Sequence, residues 1–409
     1  MKAECHLFLA AKSRYFDRYD FSSLPKEKDI LYVAIQSDEL YHPFFDECYT
    51  CTAKSQFREP ISTFDFQELL KLVSEINQLV RISRIICIEE GNLSVAAALR
   101  QILNIEGQKE KDVDFFTSKL KMYERLSRQN FPVPKFRSLD TGSPEEFLSQ
   151  KSYDDLSTEL GKPFVIKPAS SSGSFGVQIV SSVYDFLSVE ILEGFQYLAS
   201  EYIEGDLYHC DYQVYRGKVV FFGINKYLNP PLDFIKGSNH GTISIHSGND
   251  AYQQLNNLCT EIISMLELQN GTYHFEVFIR RGRPVFLEAA ARPPGGFIID
   301  AYKNNFGFNI VNSDYTIQIG NEPTFSVDDR SPCFIIAIPK KRGTLNAFSL
   351  PKIATRHQYE WFVELGDKME QPASLIDKAG HLYVWHSDYA ELFKIYRQLR
   401  GHEFYTVSD

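Results

Sequence analysis

Two glutamates in one short segment, Glu276 and Glu288, offer the oxygen ligands that a divalent cation prefers. They lie in two apolar runs that flank a tight turn at residues 280–283, which predicts a β-hairpin. With a three-residue loop, the two carboxylates stand directly opposite each other, with Cβ atoms roughly 4.5–5.5 Å apart. Like charges so placed among apolar side chains are destabilising unless a cation cancels them. The alternative is an ordinary surface hairpin with solvated carboxylates, and a one-residue slip would separate the two side chains.

A fixed positive charge and exposed backbone follow the hairpin at once. Arg292 supplies the charge, and Gly295 and Gly296 supply N–H groups that could hold a substrate carboxylate. The alternative is that the two glycines only turn the chain.

A small, polar loop begins just after a short apolar strand that ends on Lys167. Its backbone N–H groups could wrap phosphate oxygens, and Lys167 could reach a phosphate as a point charge. The loop matches neither the dinucleotide fingerprint nor the P-loop pattern, so a flexible hairpin loop is the alternative. Lys119, on a polar helix, could act like Lys167 or be solvated. The candidate phosphate-binding residues of the loop are Ser170, Ser171, Ser172, Gly173 and Gly176.

A third candidate segment follows at residues 201–206. A strand edge there presents alternating N–H and C=O groups that match the edge of an adenine ring, and Glu201 could accept from the exocyclic amine. Tyr202 lies in the same segment, and a carboxylate of Glu204 or Asp206 could bind ribose hydroxyls. Alone, this pattern has little specificity.

The first 110 or so residues alternate between apolar strands and helices, and this pattern predicts their fold. Strands at 5–10, 30–36 and 84–88 alternate with helices, which indicates an open parallel α/β sheet. Asp65 and Glu68 predict a capped helix start. Glu90 lies at the carboxyl end of a strand, where such sheets bind ligands, although a simple turn is the alternative.

Further along, residues 112–130 predict a polar helix that carries Lys119. Later patterns predict strands at 163–168, 178–180 and 197–203, a hairpin within 208–226, a helix at 251–268 and a terminal helix at 389–400.

Composition limits the function. The 409 residues carry a net charge of −10, which argues against nucleic acid or an anionic membrane as the main partner. No apolar run approaches the roughly 18 residues that span a bilayer. The seven scattered cysteines favour a reduced, cytoplasmic protein. Cys48 and Cys51 form a CxxC pair without a second pair at zinc-ligand spacing, which disfavours a metal role.

In chain order, these features are a lysine, a strand–lysine–glycine loop, the EYIEG segment and a carboxylate hairpin followed by arginine. This order resembles the ATP-grasp superfamily over roughly residues 112–320. The segments CIEEGNLSVAAALRQIL and LEAAARPPGG look most like the L-amino acid ligase (dipeptide synthetase) and carnosine-synthase-like branch.

The resemblance implies a fold of α/β and α+β parts in four regions. Residues 1–111 form an N-terminal open parallel α/β domain that precedes the ATP-grasp core. Residues 112–204 form the small ATP-grasp subdomain with the glycine-rich loop, and 205–325 form the large subdomain with the metal site. Residues 326–409 form a small C-terminal α+β domain.

The resemblance also implies a role for each matching residue. Lys119 and Lys167 bind ATP phosphates, and residues 170–176 form a mobile loop that closes over them. Glu201 and Ile203 hold adenine, and Glu276 with Glu288 binds one or two Mg²⁺ ions, with Mn²⁺ as an alternative. Catalytic contributions are expected from Arg292 and Ser172, and substrate contacts from Arg292, Gly295, Gly296 and Glu90. Outside the matched motifs, Lys226 could reach the phosphates or a substrate carboxylate, or have only a surface role. His240 could line the acceptor pocket or be a solvent-exposed loop residue.

Two positions depart from the family pattern. Ala290 stands where many members have an asparagine ligand, so ATP and water must complete the metal shell. Leu207 stands where the ribose carboxylate often lies, so Glu204 or Asp206 must substitute for it.

The implied reaction is ATP-dependent joining of a small-molecule carboxylate to an amine through an acyl phosphate, with release of ADP and phosphate. Amino acids or similar acids are the expected substrates, and a homodimer is one expected assembly. Two alternatives remain open. One is an ATP-grasp enzyme with a different acceptor, such as a carboxylase-like or nucleotide-precursor ligase. The other is a catalytically silent ATP-binding regulatory module.

Overall fold

A computed structural model describes residues 4–38, 42–55, 62–142, 144–325, 331–372, 374–375 and 377–408. None of their helices is both long and apolar enough to cross a membrane.

The N-terminal region is the predicted open parallel sheet, with the strand order β3-β2-β1-β6. Its central strand is apolar and buried, because helices cover both faces. Asp65 caps the first helix by accepting from the Glu68 N–H, at 3.3 Å. The capping box is incomplete, because the Glu68 carboxylate accepts from the Thr52 N–H instead. The elements are β1 (Glu4–Leu9), β2 (Ile30–Gln36), β3 (Glu47–Thr50), β4 (Ala53–Lys54), β5 (Thr63–Phe64), α1 (Phe66–Leu79), β6 (Arg81–Cys87) and α2 (Leu93–Ile102), with 3₁₀ turns at Ser13–Arg18 and Glu90–Asn92.

The next region contains a four-stranded antiparallel sheet in the order β7-β10-β8-β9. The single helix predicted over residues 112–130 is broken. A 3₁₀ turn at Asp114–Thr117 leads to an extended Ser118, and a new helix begins at Lys119. The break turns the Lys119 side chain inward instead of into solvent. The elements are α3 (Glu110–Val113), α4 (Lys119–Arg128), β7 (Phe136–Leu139), α5 (Pro144–Phe147), α6 (Gln150–Leu160), β8 (Phe164–Pro168), β9 (Gln178–Val180), α7 (Val183–Leu187) and β10 (Tyr197–Glu201).

A large antiparallel sheet begins with two long hairpins, which meet where β11 pairs with β14. Side chains alternate between the two faces of this sheet. One face carries His209, Asp211 and Glu276, and the other carries Cys210, Tyr212 and Val277, which pack in the core. The elements are β11 (Asp206–Tyr215), β12 (Lys218–Tyr227), α8 (Pro231–Phe234), β13 (His240–Ser244), α9 (Asp250–Met265), β14 (Gly271–Arg280) and β15 (Arg283–Ala290).

The C-terminal residues continue the same sheet. Its order is β15-β14-β11-β12-β13-β16-β20-β18, because β16 pairs with β13 in antiparallel register. A separate three-stranded sheet, β19-β17-β21, accompanies the last helix. The predicted combination of a parallel N-terminal sheet with antiparallel α+β regions is confirmed. The elements are α10 (Ile298–Phe306), α11 (Ile310–Gln318), β16 (Cys333–Pro339), β17 (Gly343–Phe348), β18 (His357–Trp361), β19 (Lys368–Met369), β20 (Lys378–Trp385), α12 (Tyr389–Gln398) and β21 (Tyr405–Ser408).

Candidate active site

One cavity of about 290 Å³ brings together residues from the start, the middle and the end of the chain. It lies where the parallel sheet, the loop after β8 and the carboxylate face of the large sheet meet. Most of the residues predicted from the sequence line it, namely Glu90, Lys119, Ser170, Ser171, Ser172, Gly173, His240, Glu276, Glu288, Arg292, Gly295 and Gly296.

The two glutamates stand directly opposite each other, as predicted, but the turn alone does not produce this pairing. The hairpin loop has only two residues, Arg281 and Gly282, both with positive φ. A β-bulge at Leu287 supplies the extra residue, because Val277 pairs with Phe286 while Glu276 pairs with Glu288. Without the bulge, Glu288 would fall on the opposite face of the sheet.

Lysines neutralise part of the charge of this carboxylate pair. The Lys119 Nζ lies 3.0 Å from Glu288 Oε2, and it also donates to the Ser171 carbonyl at 2.5 Å. Burial would raise the pKa of Glu288, but Lys119 and Lys167 hold it below its usual value. Two adjacent carboxylates supply oxygen ligands that fit a hard divalent cation. Such a cation would also keep phosphate and water ligands.

Lys167 is buried next to this group. Its Nζ contacts the Tyr123 hydroxyl at 3.1 Å, and no carboxylate among the described residues forms an ion pair with it. Burial lowers the pKa of Lys167 to about 8, and neighbouring Lys119 lowers it as well. A buried ammonium without an ion pair is suited to receive an anionic ligand.

The glycine-containing loop after β8 lies over the same cavity. The Ser170 hydroxyl donates to the Thr117 carbonyl at 2.8 Å, which ties the loop to the segment before Lys119. Positive φ angles at Gly173, Ser174 and Gly176 give the loop its tight bends.

Arg292 and Glu90 come together across the cavity. The Arg292 guanidinium donates to Glu90 Oε2 at 2.5 and 3.1 Å. Glu90 therefore takes part in the site, rather than serving only in a turn after β6.

Behind Glu276 lies a buried network centred on Asp211. Its two oxygens contact His274 Nδ1 at 2.6 Å and His209 Nδ1 at 2.8 Å. Burial would lower the pKa of His274, but Asp211 raises it to about 9. Tyr227 donates to Glu276 at 2.9 Å. The network orients the Glu276 carboxylate, and the sequence analysis does not include His274 or Tyr227 among the site residues.

Asp211, His209 and His274 are close enough to share a metal ion. Their ligand atoms are already committed, however. Asp211 Oδ2 also accepts from the Tyr302 hydroxyl at 2.7 Å, and His209 Nε2 contacts Thr242 Oγ1 at 2.7 Å. The cluster is therefore a hydrogen-bonded core that supports the site.

The structure contradicts the catalytic role predicted for Lys226. Lys226 pairs with Tyr208, on the sheet face opposite to Glu276, and its ammonium lies 2.6 Å from Asp206. The same alternation places Asp206 on that face, where it pairs with Lys226, and its contact with ribose stays a prediction. The face that bears Glu276 carries Tyr227 in place of Lys226.

The residues predicted to bind adenine lie outside the cavity described above. Glu201 ends β10 and pairs with Arg280, so its carboxylate already has a cationic partner. Among the described residues, the lining of the main cavity does not include Glu201, Tyr202, Ile203 or Glu204, nor Lys167 or Gly176. The roles of these residues stay predictions.

His240 is not the exposed loop residue that the sequence also allows. The structure places it at the first position of β13, buried, with its Nδ1 2.8 Å from the Asn229 carbonyl. Burial lowers its pKa to about 4, so the ring is neutral at pH 7.

Comparisons with known proteins agree with this geometry. The ATP-grasp domain signature matches residues 160–301. The L-arginine-specific L-amino acid ligase of Bacillus subtilis is 22% identical over 337 residues, which cover 78% of this chain and 79% of that one.

Solved structures show the same fold. The L-amino acid ligase from Bacillus licheniformis superposes with a TM-score of 0.72 at 15% identity, with 100% of both chains covered. The biotin carboxylase domain of the Hydrogenobacter thermophilus 2-oxoglutarate carboxylase, a dimer solved with MgADP and bicarbonate, gives a TM-score of 0.63 at 15% identity, covering 100% of this chain and 91% of that one. Residues 160–301 therefore form an ATP-grasp domain, and the chain as a whole has the fold of these solved structures.

Proposed function

We propose that the protein uses ATP and Mg²⁺ to join the carboxylate of one amino acid, or of a similar acid, to the amine of another. The observation that carries this proposal is the single cavity that unites Glu276, Glu288, Lys119 and Arg292. Relatives named as amino acid ligases support the choice of amino acids.

Each part of the site has a role in the proposed reaction. Lys119, Lys167 and the loop at residues 170–176 hold the phosphates, and Glu276 and Glu288 would hold Mg²⁺. Bound Mg²⁺ supplies neutralisation of the charge that develops on the transferring phosphoryl group. Arg292 faces the same space and would steady the phosphoryl group and the acyl phosphate.

The reaction would proceed in two steps. A substrate carboxylate attacks the γ-phosphate of ATP, which gives an acyl phosphate and ADP. An amine then attacks the acyl carbon and releases phosphate. The loop at residues 170–176 would exclude water from the acyl phosphate. A cytoplasmic location and a homodimer complete the proposal.

A product screen tests the reaction. Purified protein is incubated with ATP, Mg²⁺ and amino acids in pairs, and phosphate release and product masses are recorded. Phosphate release that requires two amino acids, with a product lighter by one water than their sum, supports the ligase. ATP binding without ADP in any mixture would favour the silent module, and ADP formation that requires bicarbonate would favour the carboxylase-like alternative.

A substitution tests the metal assignment. Glu288→Gln removes one charge of the proposed metal pair, so we expect turnover to fall at least about 100-fold while the fold is retained. Glu261→Gln, at an exposed position of α9, is the matched control and leaves turnover unchanged. Full activity of Glu288→Gln, with an unchanged circular dichroism spectrum, would refute the metal assignment.

A further inference from the structure

Four cationic side chains gather along one side of the cavity. Arg14 and Arg18 come from the 3₁₀ turn that follows β1, Lys378 opens β20, and Arg292 follows β15. These segments come from both ends of the chain. We call Arg14, Arg18 and Lys378 the basic cluster.

Arg292 differs from the other three, because it already forms an ion pair with Glu90. Within the described part of the chain, no side chain of the basic cluster forms an ion pair with a carboxylate. The Arg18 guanidinium lies 4.1 Å from the centre of the Tyr15 ring, so an aromatic contact fixes its position while its charge stays uncompensated.

Two acidic groups near the cluster, Glu89 and Glu360, already form hydrogen bonds with other residues. Glu89 accepts from the Ala11 N–H at 2.5 Å and from Asn92 at 2.7 Å. Glu360 contacts Tyr383 and His381 at 3.0 and 3.3 Å. Burial raises the pKa of Asp300, although Lys303 and Lys378 oppose this shift, so Asp300 offsets only part of the positive charge. The cluster therefore keeps an excess of positive charge.

Arg14 is exposed, but Arg18 and Lys378 are only partly exposed, so their share of the excess charge is costly for the protein alone. Burial lowers the pKa of both Arg18 and Lys378. Tyr15 opposes this shift for Arg18, while nearby Arg292 and Arg14 add to it. For Lys378, Asp300 and Glu360 oppose the shift and Arg18 adds to it. Like charges brought together in this way repel, and an anion between them removes the repulsion.

The cluster lies within reach of the reacting groups. A Cβ built on Gly295 would lie 3.6 Å from the Arg18 guanidinium, so Arg18 borders the glycine turn just after Arg292. A molecule whose reacting group lies at Arg292 can therefore extend a second group into the cluster.

We propose that the basic cluster binds a second negative charge on one substrate, which makes an acidic amino acid or a related dicarboxylic acid the preferred substrate class. This inference rests on the proposed ligase function and narrows its substrates. One carboxylate common to all amino acids would balance only one of the three charges, and a cationic side chain would be repelled.

A matched substrate series tests the preference. Aspartate and glutamate are compared with asparagine and glutamine, which have the same shape without the charge, and with arginine and lysine. We expect kcat/KM for the acidic members to exceed that for their amides by roughly tenfold or more, with the cationic members lowest. Equal values for acids and amides would overturn the inference, while ADP formation in the same assays would leave the ligase function standing. No ADP with any substrate would instead contradict the proposed function.

Variants then assign the preference to the cluster. Arg18→Gln and Lys378→Gln should each reduce the ratio of acid to amide kcat/KM at least several-fold, mainly through KM, and Arg18→Lys should retain part of it. Arg342→Gln, an exposed position outside the cavity, is the control. Thermal unfolding checks that each variant is folded. A uniform loss for acids and amides would mean that Arg18 holds a carboxylate that all amino acids share, and this would overturn the inference.

Discussion

At the scale of single residues, Lys167 and Glu89 are held in environments that disfavour their charged forms. Lys167 has a hydroxyl but no described carboxylate as a partner, and Glu89 is buried, with hydrogen bonds from the Ala11 N–H and the Asn92 side chain. A protein keeps such groups where a ligand or a neighbour compensates them. Both therefore give measurable predictions.

Lys167→Met should weaken ATP binding. Removing a charged hydrogen-bond donor to a phosphate costs about 1.5–3 kcal/mol, which corresponds to a roughly 10- to 100-fold higher Kd in calorimetry. Lys121→Met is the control, because the exposed Lys121 only pairs with Asp114 at the surface. Unchanged ATP affinity in Lys167→Met would contradict the assignment of Lys167.

Glu89 should make stability depend on pH. Burial raises its pKa from 4.5 to about 7, although Arg14 and Arg18 oppose the shift. The folded state therefore holds a proton that the unfolded state has lost, and the associated stability is full below pH 4.5 and is lost as pH rises through about 7. Its upper limit is about 3 kcal/mol.

Urea unfolding at pH 5 and pH 8 measures this loss. We expect the free energy of unfolding of Glu89→Gln to fall less between these pH values than that of the wild type. Parallel pH dependence in the two proteins would contradict the prediction, because other buried carboxyls, such as Asp314, are common to both.

Chemistry at the residue scale was largely predictable from the sequence. The candidate residues carry charges that a bound cation and phosphates would bring together, and one cavity unites them. They are Glu276, Glu288, Lys119 and Arg292. The catalytic role predicted for Lys226 was wrong. Pairing with β11 sets which side chains of β12 share a face, and it turns Lys226 to the face opposite to Glu276. A charged residue in a strand shows its face only when the register is known.

At the scale of elements, the glycine loop connects strand geometry to ligand binding. Gly173 and Gly176 both have positive φ, but their surroundings differ. A Cβ at Gly173 meets nothing within 4 Å, whereas a Cβ at Gly176 would lie 2.8 Å from Pro168, the last residue of β8.

Alanine at these two positions should separate backbone strain from steric contact. Gly173→Ala carries only the cost of positive φ, about 1 kcal/mol. Gly176→Ala also displaces the end of β8 next to Lys167, so we expect a clearly larger rise in KM for ATP. Equal KM values in the two variants would show that the contact with Pro168 has no part in nucleotide binding.

Element boundaries were predicted well where hydrophobic patterns were strong, as for β2 and α9. The helix over residues 112–130 was wrong in its middle, since Ser118 adopts an extended conformation that puts Lys119 inside. The local sequence pattern predicts a continuous helix. Contacts with the loop after β8 stabilise the break at Ser118 instead. One of these is the Lys119 N–H donating to the Ala169 carbonyl at 2.8 Å.

At the scale of the whole molecule, one eight-stranded sheet joins residues 206–290 to residues 333–385. The predicted boundary between 325 and 326 adjoins residues 326–330, which lie outside the described ranges. The boundary stays a prediction, but a chain cut there would expose the edge of β13, where His240 pairs with Ala337.

A chain ending at residue 325 should therefore be mostly insoluble, because the uncovered β13 presents unpaired backbone groups and apolar side chains. Co-expression with residues 326–409 should restore soluble protein by re-pairing β16. Size-exclusion chromatography of the soluble fraction measures both outcomes. A monomeric, folded 1–325 fragment would instead support an independent C-terminal domain.

The meeting of residues that are distant in the chain was the hardest feature to predict from the sequence. Arg14 and Lys378 come from opposite ends of the chain, and neither belongs to a recognisable motif. One signal was available, since Arg14 and Arg18 follow β1 at the carboxyl edge of a parallel sheet, where ligands bind. Lys378 carried no such signal.

The bulge at Leu287 has a consequence for comparing or transplanting this hairpin. A relative with a three-residue turn and no bulge would place its two glutamates in the same relation, so an insertion in the turn and a deletion in the strand compensate each other. Counting residues from the turn would then match Leu287, instead of Glu288, to the second metal ligand. Grafting the turn without the bulge would move that carboxylate to the wrong side of the sheet.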